Sequence, residues 1–522
     1  MKYPIGIQTF EQIINNGFVY VDKTDMVYAL ATEGKTYFLS RPRRFGKSLL
    51  LSTLRAYFEG KKELFKGLKI DKLEKDWHVH RVFHFDFNSV NFTQPNALEE
   101  TLDYELSQWE KEYGIEAEFK NQFGLRLEKI LQVAAEQTGH GAVVLIDEYD
   151  KPLLDVLEMD PELLNNNREI LKGFYSTFKK ADAYLRFVFL TGVTKFSQVS
   201  VFSGFNQPKD ISMYEQFEAL CGITEEELHT QFAKPIREMA QTENCTEEEI
   251  KLRLKKHYDG YHFSKQMTDI YNPFSVLNAF DSKDIRDFWF ATGTPTYLIR
   301  LMNHFNEGID ELTGREYSLD EFVNYKADTE YPLPMIYQSG YLTIKNYDRE
   351  MDMFLLDFPN NEVKRGFLAM VASNYLQSGQ PMDSWIKRAV LSLRRGQIDQ
   401  FRQMLTAFLA SIPYSMRRKD EERERERYFQ YTFYLLLRLM SVYTIYIEKE
   451  QSEGRVDCVI ETPQFVYIFE FKLDGTAAGA LQQIEDKGYA REYEADARPV
   501  HKIGVNFSSE TGTIEGWEHA IR

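Results

Sequence analysis

The chain has 522 residues, 14% of them aromatic and 43% hydrophobic, which excludes long disorder, because disordered chains are poor in aromatics. At roughly 100–200 residues per domain, that length suggests about three domains. The formal net charge of −17 argues against a protein that coats nucleic acid indiscriminately, while leaving room for a local basic cleft.

In chain order, residues 1–223 read as alternating strands and helices. Lys35–Leu39 is a short β-prone run. The polar loop Ser40–Phe45 follows it, and then a helical pattern from Lys47 to Phe58. Val79–Phe87 is rich in β-branched and aromatic residues. His78, His80 and His84 in or beside it read as ordinary residues of a half-exposed strand. Ala142–Ile146 is a continuous apolar run ending in acids, the pattern of a strand buried on both faces. Tyr184–Leu190 is another such run and ends at Thr191. Strands separated by helical stretches predict a parallel sheet with right-handed crossovers. Residues 224–380 are mainly helical, opening at Thr224 with three acids in the first turn. Residues 381–522 begin helical and pass through a charge run at 419–427. Two β-type runs, Val456–Ile460 and Phe465–Phe471, come next, and then a final helix around Ala478–Tyr493. Cys221, Cys245 and Cys458 are too scattered for a disulfide framework or a thiolate zinc site. With no apolar run of membrane-spanning length and no signal-peptide pattern, a cytoplasmic protein without membrane contact is the expectation.

Two places carry phosphate chemistry. Gly46-Lys47-Ser48 follows a strand and a loop and opens a helix, the core of a P-loop. Backbone N–H groups and the positive helix end bind phosphate there. Lys47 would reach the terminal phosphates and Ser48 would ligate Mg²⁺. Arg41 stands where the full motif has its first glycine, and Arg41, Arg43 and Arg44 are expected to add phosphate contacts. The strand ending in Asp147-Glu148 supplies the second half, a Walker B arrangement. Asp147 would hold the Mg²⁺ shell and Glu148 would polarise the attacking water. Thr191 and Thr194 follow the next strand, either as γ-phosphate sensors or as plain turn residues. Lys195 and Arg186 are candidate charge partners, with neither singled out as an arginine finger.

The second place is Asp457 followed by Glu470-Phe471-Lys472. If Glu461–Gln464 forms the hairpin loop, Asp457 faces Ile468 and lies diagonal to Glu470 on one sheet face. Two carboxylates suit Mg²⁺ or Mn²⁺, and Lys472 would stabilise charge on a phosphodiester under attack. The same spacing also suits a polar outer strand face, although the apolar surroundings favour buried, purposeful acids. Gln482 and Gln483 follow on a helix.

The segments RPRRFGKSL, VVLIDEYDKPL, FLTGVTKFS, YDGYHF (258–263), YNPFSVLNAF (271–280), QSGYLTIKNYD (338–348) and LLDFPNNEVKRGF (355–367) resemble the AAA-ATPase-like domain of a bacterial family of ATP-binding proteins. The tail at 454–490 resembles that family's C-terminal PD-(D/E)XK nuclease-superfamily domain. The resemblance implies an α/β fold: a P-loop NTPase parallel sheet with helices on both faces over 1–223, a helical lid or middle domain over 224–380, and a nuclease-like α/β domain over 381–522. It implies an ATP site with Arg43, Arg44, Phe45, Gly46, Lys47, Ser48, Asp147 and Thr191 as binding residues and Glu148 as catalytic. It implies a nuclease-like core of Asp457, Glu470, Lys472 and Gln483, with Mg²⁺ or Mn²⁺ on Asp457 and Glu470. Glu426 is the candidate for an upstream helical acid, although Glu421, Glu422 and Glu424 lie in the same run and a solvated helix face explains all four. The expected function is ATP binding and hydrolysis coupled to metal-dependent action on DNA or RNA, in defence or mobile-element handling. The competing expectation is a nucleotide-dependent switch whose nuclease fold binds nucleic acid or a protein without cutting. Homo-oligomerisation is left open.

Overall fold

Five short strands build the first sheet of the computed structural model: β1 (Thr36–Ser40), β2 (Val82–Asp86), β3 (Ala142–Asp147), β4 (Leu185–Gly192) and β5 (Lys209–Asp210). Their order is β2-β3-β4-β1-β5, and every pairing is parallel. Every residue of β3 is buried, as its unbroken apolar run predicts. Because β4 lies between β1 and β3, the carboxyl ends of all three strands meet at one sheet edge. The structure describes residues 1–116, 119–196, 208–289, 297–298, 312–324, 331–376, 382–411, 432–433, 436, 444–451 and 454–522. They divide into two units, Met1–Lys364 and Arg365–Arg522.

Helices flank this sheet. α1 (Lys47–Phe58) follows β1; α2 (Ala97–Tyr113), α3 (Phe123–Thr138) and α4 (Pro161–Lys180) lie in the crossovers around β3, with α3 packed on both of the others. Asp160 caps α4 by accepting from Glu162 N and Leu163 N, with Pro161 in the first turn. The middle of the chain is mainly helical. Its helices include α5 (Glu225–Gln231), α6 (Ala233–Glu243), α7 (Glu247–Tyr258) and α8 (Pro273–Ser282). Thr224 and Thr246 start α5 and α7 with reciprocal capping boxes to Glu227 and Glu249. A three-stranded antiparallel sheet follows: β6 (Arg315–Tyr317), β7 (Thr343–Asp348) and β8 (Met353–Asp357), in the order β6-β8-β7. α9 (Asn361–Leu376) leads out of the first unit.

The second unit contains α10 (Met382–Arg394) and α11 (Ile398–Ala410), then β9 (Thr444–Gln451), β10 (Gly454–Glu461), β11 (Val466–Leu473), α12 (Ala477–Asp486), β12 (Val500–Ser508) and β13 (Thr513–Ile521). The five strands pair in sequence order; β11 and β12, joined across α12, are parallel, and the other neighbours are antiparallel. The final helix is shorter than the sequence suggests, and the chain closes on two strands that the pattern does not announce. β12 is buried almost throughout, and β13 is a partly exposed edge with charged residues interspersed. The charge run at 419–427, with Glu426, lies outside the described residues. Among the described residues, no helix is long and apolar enough to cross a membrane.

Candidate functional site

β1 delivers the chain into the 41–46 loop at the carboxyl edge of the sheet. Arg44 (φ +69°) and Gly46 (φ +95°) are left-handed, bending the backbone into the kind of concavity whose N–H groups gather an anion. Glycine suits position 46 because of this angle. Lys47, buried at the first position of α1, donates from Nζ to Arg41 O (3.0 Å) and Pro42 O (3.2 Å), and lies 4.0 Å from Glu148 Oε1. Ser48 is half-buried, and the side chains of Arg43 and Arg44 are exposed. The Phe45 ring is buried against Tyr261 and Phe263, so Phe45 offers the loop only its backbone.

Arg41 departs from the phosphate role expected of it. Its guanidinium is buried and donates to Ser40 O (2.9 Å), Ser212 O (2.7 Å), Phe217 O and Glu218 O, and it lies 4.1 Å over the Phe263 ring. In place of a glycine turn, the chain pins the loop's first residue into the protein. Lys195 and Arg186 also lie away from the loop in function: Lys195 Nζ holds Asp210 at 2.7 Å, and Arg186, near the amino end of β4, donates to Ala31 O at 2.6 Å.

Across the sheet edge, Asp147 ends β3. Its Oδ1 accepts from Thr191 Oγ1 (2.7 Å) and Glu148 N (3.1 Å). Glu148 adopts φ +52°, which turns its carboxylate toward Lys47. Lys47, Asp147, Glu148 and Thr191 are therefore brought together, with Thr191 acting on the acid. The donors of the loop and this acid pair fit a phosphate chain with its hard cation.

The second cluster sits on β10, β11 and α12. The hairpin loop is Thr462–Phe465, with Glu461 paired to Val466 and Cys458 to Phe469. This corrects the expected loop: continuing the register puts Asp457 directly opposite Glu470, not diagonal to it. The face-sharing survives, because the slip moves each strand by one residue and leaves the parity unchanged. Glu470 is buried, and its carboxyl is pushed up to about 7 by desolvation and then by the charge of Asp457. Gln483 joins the set: its amide N–H donates to Glu470 Oε1, and its Oε1 accepts from Lys472 Nζ at 2.7 Å. Lys472 Nζ is 4.0 Å from Glu470. Asp457 Oδ2 accepts from Phe471 N at 2.8 Å, fixing it beside that strand. Gln482 instead donates to Asp486 along the helix surface. Glu470 Oε2 is buried without a hydrogen-bond partner. An orphaned carboxylate oxygen opposite a second carboxylate fits a divalent cation. Among the described residues no group of three or more His, Cys, Asp or Glu side chains is arranged to hold a metal. A cation here would therefore keep water or substrate ligands, as Mg²⁺ commonly does.

The chain matches two families in succession: "Predicted AAA-ATPase" over residues 4–202 and "PD-(D/E)XK nuclease superfamily" over residues 424–517. It is 35% identical over 528 residues to the "Uncharacterized protein in vnfD 5'region" of Azotobacter chroococcum mcd 1, covering 99% of this chain and 98% of that one. The chain belongs to this AAA-ATPase-like family with a PD-(D/E)XK domain. Among solved structures, the Aeropyrum pernix ORC1 protein in complex with DNA matches at 12% identity over 91% of this chain and 95% of that chain, with a TM-score of 0.24; so low a score carries no argument.

In this AAA-ATPase-like protein, the residue that sequence reasoning missed is Asp150. It is fully buried three residues after Asp147. Its Oδ2 accepts from Val193 N (3.0 Å), Thr194 N (2.6 Å) and Thr194 Oγ1 (2.8 Å), and burial, then Glu148, pushes its carboxyl up to about 6. Thr194 thus serves Asp150, much as Thr191 serves Asp147. The fourth position of DEYD was the available signal. A Cβ at Gly192 would come within 2.5 Å of Asp150 Oδ1 and 2.7 Å of the Tyr149 ring. Gly192→Ala is therefore expected to cost about 1–3 kcal/mol, read as a lower urea midpoint.

Proposed function

We propose that this protein binds and hydrolyses ATP at the 41–48 loop and cleaves DNA or RNA phosphodiesters at the Asp457–Glu470–Lys472 cluster, with the first reaction licensing the second. The observation that carries the reading is the pairing, in one chain, of two separate clusters that each set a lysine within 4.0 Å of a carboxylate on or beside sheet strands. At the first, the loop N–H groups and the positive end of α1 hold the phosphates. Lys47 turns from the loop carbonyls to the terminal phosphates. Ser48 and Asp147 hold Mg²⁺, with Thr191 fixing the carboxylate, and Glu148 orients the attacking water. Arg43 and Arg44, exposed and resting over the Tyr297 and Phe274 rings, turn from those rings to the phosphates on the loop's outer side, and residues 224–380 act as the lid.

At the second cluster, Asp457 and Glu470 hold Mg²⁺ or Mn²⁺, which when bound supplies an activated water and offsets charge on the phosphodiester. Gln483 holds Lys472 and Glu470 in register, and Lys472 stabilises the charge that develops. In a chain of net charge −17, the nucleic acid needs local cations. α10 exposes Lys387, Arg388 and Arg394, and Arg395 follows it.

One observation favours a second reading, a non-cleaving switch: Gln483 already occupies Glu470 Oε1. Incubating full-length protein and ATP with single- and double-stranded DNA and RNA, in Mg²⁺ or Mn²⁺, separates the two. Cleavage of at least one substrate, abolished in Asp457→Ala, is expected. Salt-sensitive binding with no cleavage of any substrate selects the switch.

A further inference from the structure

One contact joins the 41–48 loop to the start of α9. Trp289 is buried in the first unit, its ring 5.2 Å from that of Tyr341, and its indole Nε1 donates to Arg43 O at 3.1 Å. Arg43 O belongs to the peptide that joins Arg43 to Arg44. That peptide is trans, as are all among the described residues, so its C=O and N–H point opposite ways. Holding the carbonyl on the Trp289 side turns the Arg44 N–H to the other side, and the left-handed Arg44 then bends the chain toward Gly46.

Trp289 is itself held. Glu362, second residue of α9 and buried, accepts from Phe288 N, from Trp289 N at 2.6 Å and from Ser275 Oγ at 2.7 Å. A buried carboxylate served only by neutral donors costs desolvation free energy, and what it fixes here is the backbone that presents the indole. α9 continues from Glu362 past Lys364, the last residue of the first unit.

We propose that Trp289 is a positioning residue of the 41–48 loop, and that through Glu362 it links occupancy of the loop to α9, the helix on which the chain leaves the first unit. The inference rests on the reading of that loop as an ATP site. When the loop closes on phosphate, the Arg43–Arg44 peptide reorients. The indole follows it and keeps its hydrogen bond, and so shifts the backbone that Glu362 grips. The two states thus differ in the placement of Trp289 and of the Glu362 contacts that hold it, the physical difference a coupling claim requires.

The test uses the full-length chain, magnesium and a fluorescent mant-ATP. Trp289→Phe keeps an aromatic ring against Tyr341 and loses the indole N–H together with some buried ring volume. It is expected to weaken binding about 10-fold, the worth of one good hydrogen bond, in a protein that still unfolds cooperatively at a somewhat lower melting temperature. Hydrogen exchange of the wild type adds a readout that a purely structural role would leave unmoved: the Phe288 and Trp289 amides, both bonded to Glu362, should change protection when ATP is added. If Trp289→Phe fails to fold, that exchange alone carries the test. Wild-type affinity in Trp289→Phe, or unchanged exchange at those amides in the wild type, overturns the proposal. Wild-type protein that binds no mant-ATP, or Lys47→Ala that binds it equally well, overturns the ATP reading and this inference with it.

Discussion

Lys47→Ala is expected to bind ATP at least roughly 100-fold more weakly than the wild type, because charge-assisted hydrogen bonds to phosphate are each worth about 1.5–3 kcal/mol. The structure gives the reason for so large an effect. The Lys47 ammonium is buried, and its partners are two loop carbonyls and, at 4.0 Å, Glu148. It is therefore poised at the mouth of the 41–46 loop with few competing obligations, and the loop's other cations, Arg43 and Arg44, are exposed over the Tyr297 and Phe274 rings and do not occupy its buried place. Arg41 is spent on buried carbonyls, Lys195 on Asp210, and Arg186 lies at the other end of β4. Titration of mant-ATP with magnesium checks this, and retained affinity would remove Lys47 from the site.

The second large effect belongs to Glu470. Its folded-state carboxyl lies at about 7 against an ordinary 4.5, so the metal-free folded protein keeps a proton that the unfolded chain releases. That contribution to stability is fully present below about 4.5 and is lost as pH rises through about 7. Metal-free wild type should therefore lose up to about 3 kcal/mol of stability between pH 4.5 and pH 8 from this group. Glu470→Gln should lose far less over the same range. Added Mn²⁺ should restore the wild type at pH 8, because the ion binds the deprotonated pair, and should leave Glu470→Gln unmoved. Urea midpoints at both pH values, with and without Mn²⁺, read all three outcomes. The same titration predicts cleavage rising with pH toward neutrality and absent in Glu470→Gln.

The parts of this molecule legible in the sequence are those set by local pattern. Ala142–Asp147 reads as a buried strand because nothing in it is polar until the acid that ends it. Gly46-Lys47-Ser48 reads as a loop-to-helix junction because phosphate chemistry fixes the spacing. Asp457, Glu470 and Lys472 share a face because strand periodicity is two. What escaped is set by distant partners. Arg41 is bonded to carbonyls more than 170 residues away, which no local pattern reports. The hairpin register was decided by Thr462, whose hydroxyl accepts from Phe465 N at 2.8 Å and whose N–H reaches Phe465 O, closing the loop one residue later than the spacing suggests. β13 alternates too weakly between buried and exposed residues to announce itself as a strand.

Whether the two clusters act in one reaction sequence is decided by cleavage assays of the full-length protein with and without ATP. Wild type, Lys47→Ala and Glu470→Gln are compared on a nucleic acid that the wild type cuts. ATP-dependent cleavage by the wild type and none by either variant is expected, with Glu470→Gln still hydrolysing ATP. Cleavage by Lys47→Ala at the wild-type rate, indifferent to ATP, would contradict a shared reaction sequence.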